Sequence, residues 1–178
     1  MKLRRLRVVL VVGMAFVGLC LTLWALAVAQ PPQKPPTEKA DAILILKKDH
    51  LMQLFARGKV IRTYKVALGR GGLIPKERQG DARTPEGHYI IDAKNAASHY
   101  HKALHVSYPN AEDRARAAKL GVSPGGSIMI HGLPNGEGWI GAAHRLYDWT
   151  LGCIAVTDEE IDEIFKLVPV DTPVEIRP

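Results

Sequence analysis

An uncharged stretch of 22 residues near the N-terminus, residues 8–29, constrains this chain more than any other feature. As a helix it would rise about 33 Å, enough to cross a hydrocarbon core of about 30 Å. Four basic residues and no acidic residue precede it: Lys2, Arg4, Arg5 and Arg7. Because basic flanks stay on the cytoplasmic side, residues 1–29 are predicted to be a single-pass anchor in the inner (cytoplasmic) membrane, with the following domain on the periplasmic side.

A cleaved signal peptide is the alternative for the same segment. Residues 27–29, Ala-Val-Ala, offer a small-x-small cleavage site, and cleavage there would release the protein into the periplasm. Residues 30–40 follow with four prolines and are predicted to form an extended linker. The folded domain is therefore expected over residues 41–178. It is expected to be exported whether the leader is an uncleaved anchor or a cleaved signal peptide.

The charge of this domain argues against a nucleic-acid partner. The whole chain has a formal net charge of +6, but four of its 24 basic residues lie in the leader. The remaining 20 basic residues face 18 acidic ones, with both signs interspersed. No basic stripe interleaved with aromatic residues is present in the sequence, so we expect no nucleic-acid binding.

The domain reads mainly as β-strands separated by short turns. Short apolar or alternating runs predict strands over residues 42–46, 51–56, 60–68, 88–92, 127–132 and 173–176. A helix is predicted over residues 111–121, with Asn110 as its cap, and a second helix follows the capping box of Thr157 and Glu160. The expected fold class is a mostly β, sandwich-like or barrel-like domain with two short helices.

Cys153 is the only cysteine of the exported part of the chain, so it cannot form an internal disulfide there. A leftover thiol in an oxidising compartment indicates intermolecular pairing or reactivity. His131 ends an apolar strand and would activate the thiol as a thiolate–imidazolium pair, because a free thiol with a pKa of about 8.5 is mostly protonated. The amides of Gly152 and Cys153 are candidate oxyanion donors. The alternative is a buried cysteine and an unrelated core histidine.

Four sequence motifs resemble the YkuD-type L,D-transpeptidase family. They are IHG at 130–132, TLGC at 150–153, GDARTPEG at 80–87 and ALG at 67–69. The histidine and the cysteine are 22 residues apart, within the range of that family. The resemblance covers residues 41–178 and is closest to a membrane-anchored, T-x-G-C type of member.

The resemblance implies a thiol acyltransferase that acts on peptidoglycan stem peptides. Cys153 would attack the L,D amide and form a thioester, and His131 would act as general base and then as general acid. The Gly132 carbonyl would orient the imidazole. The acyl acceptor would be another stem peptide, a lysine of a wall-attached lipoprotein, or water. No metal and no organic cofactor is implied.

Two positions depart from the family pattern. Leu151 stands where many members have histidine, and Ala155 stands where many have arginine. Arg145 or Arg83 could replace that arginine, and together with His144 and Thr150 they are the candidate substrate-binding residues. The Arg83 side chain could instead form a turn-bracing ion pair with Glu86.

Two alternative functions stay open, and the departures bear on the first of them. The first is an L,D-carboxypeptidase or amidase that releases peptides or proteins from the cell wall by hydrolysis. The second is a non-catalytic wall-binding module tethered by its leader.

Three further histidines, His99, His101 and His105, are candidates for a metal site. Strand alternation would place them on one face, and three imidazoles could bind zinc. Neither a fourth ligand nor an H-E-x-x-H pattern accompanies them. We therefore expect no metal centre, and a position at the rim of the active-site cleft is the other role considered for them.

Overall fold

Strands make up most of the regular structure in residues 38–178, the part of the chain that the computed structural model describes. The strands are β1 (Ala42–Leu46), β2 (Leu51–Ala56), β3 (Lys59–Lys65), β4 (Gly87–Ser98), β5 (His101–Val106), β6 (Met129–His131), β7 (Ile154–Ala155) and β8 (Pro173–Arg177). The helices are α1 (Ala111–Lys119) and α2 (Asp158–Leu167). A 3-10 segment, Gly138–Leu146, is kinked at Gly141 and precedes β7.

All eight strands belong to one sheet, in the order β3-β2-β1-β8-β4-β5-β6-β7. Most neighbours are antiparallel, but β1 pairs with β8 in parallel and β6 pairs with β7 in parallel. The chain just after β3 returns to the far edge of the sheet, because Ala67 bridges Ala155 and Gly69 bridges Thr150. These bridges join the two edges, so the sheet curves into a half-barrel rather than forming a sandwich.

The core follows from alternation along the strands and from one face of α2. Ile43 and Ile45 of β1 are buried, as are Met52 and Leu54 of β2. Helix α2 starts at a capping box, in which Thr157 Oγ1 accepts from the Glu160 N–H and the Glu160 carboxylate accepts from the Thr157 N–H. Its buried side chains, Ile161, Ile164 and Leu167, lie on one face at helical spacing.

Helix α1 is held by its first turn. Asn110 caps it in a reciprocal pair of bonds with Asp113, and the Tyr89 hydroxyl donates to the buried Asp113 carboxylate at 3.0 Å. Helix α1 thus joins β4 through a polar contact rather than through a large apolar face.

The predicted fold class is largely confirmed. Each predicted strand and both helices are present, although the strand expected over residues 60–68 ends at Lys65 and the strand of residues 88–92 extends to Ser98. Strands β5 and β7 and the 3-10 segment were not predicted. Among residues 38–178, no helix is both long and apolar enough to cross a bilayer. The predicted anchor, residues 1–29, and most of the linker, residues 30–40, lie outside the described residues.

Candidate active site

Cys153 and His131 are positioned by two neighbouring strands that pair with each other. Strand β7 begins directly after Cys153, and β6 ends at His131. In the parallel β6–β7 pairing, Ile130 lies opposite Ile154 and His131 lies opposite Ala155. Both side chains line one cavity of about 410 Å³. The fold therefore brings the residues of the two sequence motifs to one cavity.

Aromatic rings surround the imidazole of His131, which is only 4% exposed. The ring centroid of Tyr100 lies 4.5 Å from that of His131, and the centroid of Trp149 lies 5.8 Å away in an edge-on arrangement. Tyr100 and Trp149 also line the cavity. The histidine is thus held in a largely apolar wall with little room to rotate.

The tautomer of His131 follows from its single polar contact. Nδ1 lies 2.7 Å from the Gly132 carbonyl oxygen, which can only accept, so Nδ1 carries the proton in this contact. In the neutral ring Nε2 is then unprotonated and can accept a proton. Glycine at position 132 avoids close contacts, since a Cβ there would lie 2.7 Å from Asp158 Oδ1 and 3.0 Å from Ile161 Cγ2. The predicted orienting role of the Gly132 carbonyl has the geometry that it requires.

Burial shifts both titratable groups toward their neutral forms. Desolvation raises the pKa of the Cys153 thiol, while a backbone hydrogen bond from Met129 and the charge of Lys76 oppose this increase. Desolvation also lowers the pKa of His131, and its bond to the Gly132 carbonyl opposes this decrease. The thiol donates to the Ser127 carbonyl oxygen at 3.5 Å. Burial therefore disfavours the charged forms of both groups, and the thiolate–imidazolium pair expected from the sequence stays a prediction.

Thr150 braces the loop that carries the cysteine. Its hydroxyl donates to the Cys153 carbonyl oxygen at 2.8 Å and accepts from the Gly152 N–H at 3.1 Å. Although Thr150 lines the cavity, its polar atom is used within the loop. The Gly152 N–H donates within the loop, so it is not free to be the oxyanion donor predicted from the sequence.

Gly152 is required by its conformation and by its neighbour. Its φ is +127°, and a Cβ would lie 2.6 Å from the Arg83 carbonyl oxygen. A Cβ on Gly69 would lie 3.0 Å from Gly152 Cα and 2.3 Å from the Ala82 carbonyl oxygen. Thr84 Oγ1 accepts from the Gly69 N–H at 3.0 Å. Three of the sequence motifs therefore meet backbone to backbone behind the cysteine.

Three of the four predicted substrate-binding side chains, those of Arg83, Arg145 and His144, do not line the cysteine cavity. Arg83 pairs with Glu77 at 3.3 Å, and Arg145 pairs with Glu160. Neither is among the residues that line the cysteine cavity. Arg83 does form a bracing ion pair, but its partner is Glu77 and not the predicted Glu86.

His144 faces a second cavity of about 240 Å³, which shares Trp149 with the first. The Trp149 indole N–H donates to His144 Nδ1 at 3.4 Å. Desolvation, together with the charge of Arg145, lowers the pKa of His144 to about 4, so its ring is neutral at neutral pH. His144 supports the tryptophan that walls the cysteine cavity instead of entering the cavity itself.

The two departures from the family pattern differ in their placement. Leu151 lines the cavity with 67% of its surface exposed, so an apolar group stands at the rim. Ala155 is completely buried and pairs with Ala67. Neither Arg83 nor Arg145 places a guanidinium in the cavity as a replacement.

The histidines of the region 99–105 do not gather on one face. Strand β4 ends at Ser98 and β5 starts at His101, whose φ is +60°, so strand alternation does not run through His99. His101 Nε2 lies 2.9 Å from Asp162 Oδ1, and His105 Nδ1 lies 2.6 Å from Asp92 Oδ1. Within residues 38–178 no group of three His, Cys, Asp or Glu side chains could hold a metal ion. The shared face predicted for these histidines is wrong, because a hairpin turn interrupts the strand.

Sequence reasoning missed several polar residues that build the site. Asp148 Oδ1 accepts from the Leu68 N–H at 2.8 Å, and the Asp148 carboxylate lies 3.0 Å from His50 Nε2. Lys76 and Lys47 are buried and paired with Asp81 and Glu86. No local pattern marks these residues, because each contact spans distant parts of the chain or a loop of irregular shape.

The sequence model of the YkuD domain, described as the L,D-transpeptidase catalytic domain, matches residues 40–176. The chain belongs to this family. It is 34% identical over 132 residues to the "Putative L,D-transpeptidase YafK" of Escherichia coli (strain K12), which covers 71% of this chain and 46% of that relative. The YkuD chain described here therefore spans about half the length of the curated relatives that it matches.

Solved structures agree with this assignment. The helical cell shape determining protein Pgp2 from Campylobacter jejuni is 25% identical with a TM-score of 0.58, over 79% of this chain and 48% of that one. An L,D-transpeptidase from Xylanimonas cellulosilytica is 16% identical with a TM-score of 0.54, over 88% of this chain and 69% of that one. The second likeness shows that the YkuD fold is shared.

Proposed function

We propose that this YkuD protein is a cysteine-dependent L,D-transpeptidase that acts on peptidoglycan stem peptides through a Cys153 thioester. One observation carries the proposal: Cys153 and His131 line the same cavity, and His131 is held with its Nδ1 proton on the Gly132 carbonyl. This arrangement leaves Nε2 as the basic atom of the pair.

In the first half-reaction, the Cys153 sulfur attacks the carbonyl carbon of the L,D amide while His131 Nε2 takes the thiol proton. The Cys153 N–H donates to the oxyanion of the tetrahedral intermediate. The C–N bond then breaks, and the imidazolium returns its proton to the departing amine. The products are a released D-amino acid and a thioester on Cys153.

In the second half-reaction, an amine attacks the thioester carbonyl and gives its proton to His131 Nε2. The C–S bond breaks, and the sulfur recovers the proton from the imidazolium. The acceptor amine comes from another stem peptide or from a lysine of a wall-attached lipoprotein. Water as the acceptor would make the protein an L,D-carboxypeptidase or amidase.

The neutral starting pair suits this order of events. Because burial raises the pKa of Cys153 and lowers that of His131, charge separation is unfavourable until an amide carbonyl is in place to receive the sulfur. Proton transfer then accompanies attack and does not precede it. The thiol is in this way less exposed to oxidation between turnovers, since the thiolate is the reactive form.

A membrane-proximal location goes with this function. The N-terminal apolar stretch would anchor the chain in the inner membrane, and the proline-rich linker would hold the domain on the periplasmic side. The name of Pgp2 connects that protein to helical cell shape, which supports a cell-wall role for this chain as well.

The test uses the purified full-length protein with a disaccharide-tetrapeptide substrate and an added amine. Mass spectrometry should detect a joined product and released D-amino acid, both lost in Cys153→Ala and His131→Ala. Cys20→Ala removes the only other cysteine of the chain and should retain activity. Release of D-amino acid with water incorporated would assign the hydrolase. Absence of any reaction would instead favour the non-catalytic wall-binding module.

A further inference from the structure

Lys47, in the turn between β1 and β2, is fully buried, with 0% of its side chain exposed. Its ammonium donates to Glu86 Oε1 at 2.8 Å, to the Thr84 carbonyl oxygen at 3.0 Å and to the Ile74 carbonyl oxygen at 3.4 Å. Three acceptors therefore take its three protons, as a buried ammonium requires. Two of them belong to the motif loop, residues 80–87.

The peptide that Lys47 holds is next to the one that supports the nucleophile. The Thr84 carbonyl binds Lys47, and the preceding carbonyl, that of Arg83, packs against Gly152, with its oxygen 2.6 Å from where a Cβ of residue 152 would lie. The Thr84 hydroxyl, on the same residue, holds the Gly69 N–H. A displacement of residues 83–84 would therefore also displace the backbone of Gly152, which precedes Cys153.

The other end of the motif loop is held by a second buried lysine. Lys76 pairs with Asp81 at 2.7 Å and also donates to the Arg78 carbonyl oxygen. Asp81 accepts from the backbone N–H groups of Glu77, Arg78 and Arg83. With its start fixed by Asp81 and its end by Lys47, the loop forms a rigid support behind the Gly152–Cys153 peptide.

We propose that Lys47 is a positioning residue for Cys153, acting through the Thr84 peptide and Gly152. The proposal rests on the proposed function for its catalytic readout. Small displacements of reacting atoms lower rates strongly, since a shift of about 1 Å can cost about a hundredfold. The support from Lys47 should consequently appear in kcat and in the reactivity of the thiol more than in substrate affinity.

The variants must separate positioning from folding. Removing one member of a buried ion pair leaves an unpaired buried charge and is strongly destabilising, whereas replacing both members by neutral side chains is often tolerated. The decisive variant is therefore Lys47→Met/Glu86→Gln, with Glu86→Gln alone to keep the Lys47–Thr84 bond. The matched control is Lys94→Met, because Lys94 also donates to two backbone carbonyls, those of Phe165 and Val168, but not to the motif loop.

The measurements are thermal unfolding, the rate of Cys153 alkylation by iodoacetamide across pH, and kcat and KM for stem-peptide transfer. The double variant should unfold cooperatively, lose about tenfold or more in kcat with KM changed less than about twofold, and show an altered alkylation profile. Glu86→Gln should lose less in kcat than the double variant does. Lys94→Met should match the wild type both in kcat and in the rate of Cys153 alkylation.

Two results would overturn the proposal. A folded double variant with wild-type alkylation and kcat would show that Lys47 does not position the thiol. A double variant that fails to fold would assign Lys47 to stability alone. If the wild type shows no transfer, the proposed function fails, and the alkylation profiles still decide the role of Lys47.

Discussion

Replacing Gly152 by alanine tests the arrangement behind the cysteine most directly. At φ +127° an L side chain is strained, which costs about 1–3 kcal/mol. The new Cβ would also lie 2.6 Å from the Arg83 carbonyl oxygen and 3.1 Å from Ile128 Cδ1, and such overpacking adds about 1–3 kcal/mol. We expect Gly152→Ala to lower the free energy of unfolding by about 2–6 kcal/mol.

The control is Gly72→Ala, which shares the positive φ but not the contacts. Gly72 has a φ of +86°, and a Cβ there would meet nothing within 4 Å, so the expected loss is about 1–2 kcal/mol. Urea unfolding followed by tryptophan fluorescence measures both variants. The reasoning fails if Gly152→Ala loses no more stability than Gly72→Ala.

Three further predictions concern titration and capping. The pH dependence of Cys153 alkylation by iodoacetamide should give a higher apparent pKa in the folded protein than in the urea-unfolded chain, because burial raises the pKa of this thiol. An equal or lower apparent pKa in the folded protein would contradict the burial argument. Although burial raises the pKa of Asp81, hydrogen bonds from Arg78, Lys76 and neighbouring amides lower it to about 2. Since this folded value lies below the unfolded value of about 3.9, its stabilisation is present above pH 4 and lost as the pH falls toward 2. Asp81→Asn should lower the free energy of unfolding, measured in urea at pH 7, by about 2 kcal/mol and should weaken its dependence on pH. An unchanged loss of stability between pH 4 and pH 2 would refute this. Thr157→Ala removes the cap of α2 and should cost about 1 kcal/mol, with Thr157→Ser retaining most of the stability.

Local patterns were sufficient for the elements that have strong local signals. The apolar runs of residues 42–46 and 51–56 and the capping boxes at Asn110 and Thr157 each specify one element within a few residues, and each is present. Strand β5 escaped prediction because its sequence, HKALHV, mixes polar and apolar residues and starts at a residue with positive φ. Strand β7 is only two residues long and exists through pairing with β6 and the Ala67 bridge.

In the candidate site, too, the residues with a local sequence signal could be predicted and those without one could not. Cys153 and His131 could be predicted because their glycine neighbours and their spacing are visible in the sequence. The supporting charges could not, since nothing in the run KKDH (47–50) indicates that Lys47 is buried and Lys48 is exposed. Arg83 and Arg145 were expected to contact the substrate, and their partners, Glu77 and Glu160, could be found only from the fold.

The position of β8 sets a constraint on how the domain can form during synthesis. This strand, residues 173–177, lies between β1 and β4 and pairs with both of them. A chain still growing on the ribosome therefore lacks the middle of its sheet until those residues emerge. Strands β1 and β4 cannot be joined through β8 before then, so the strand order of the sheet is completed only after residue 177 has been synthesised.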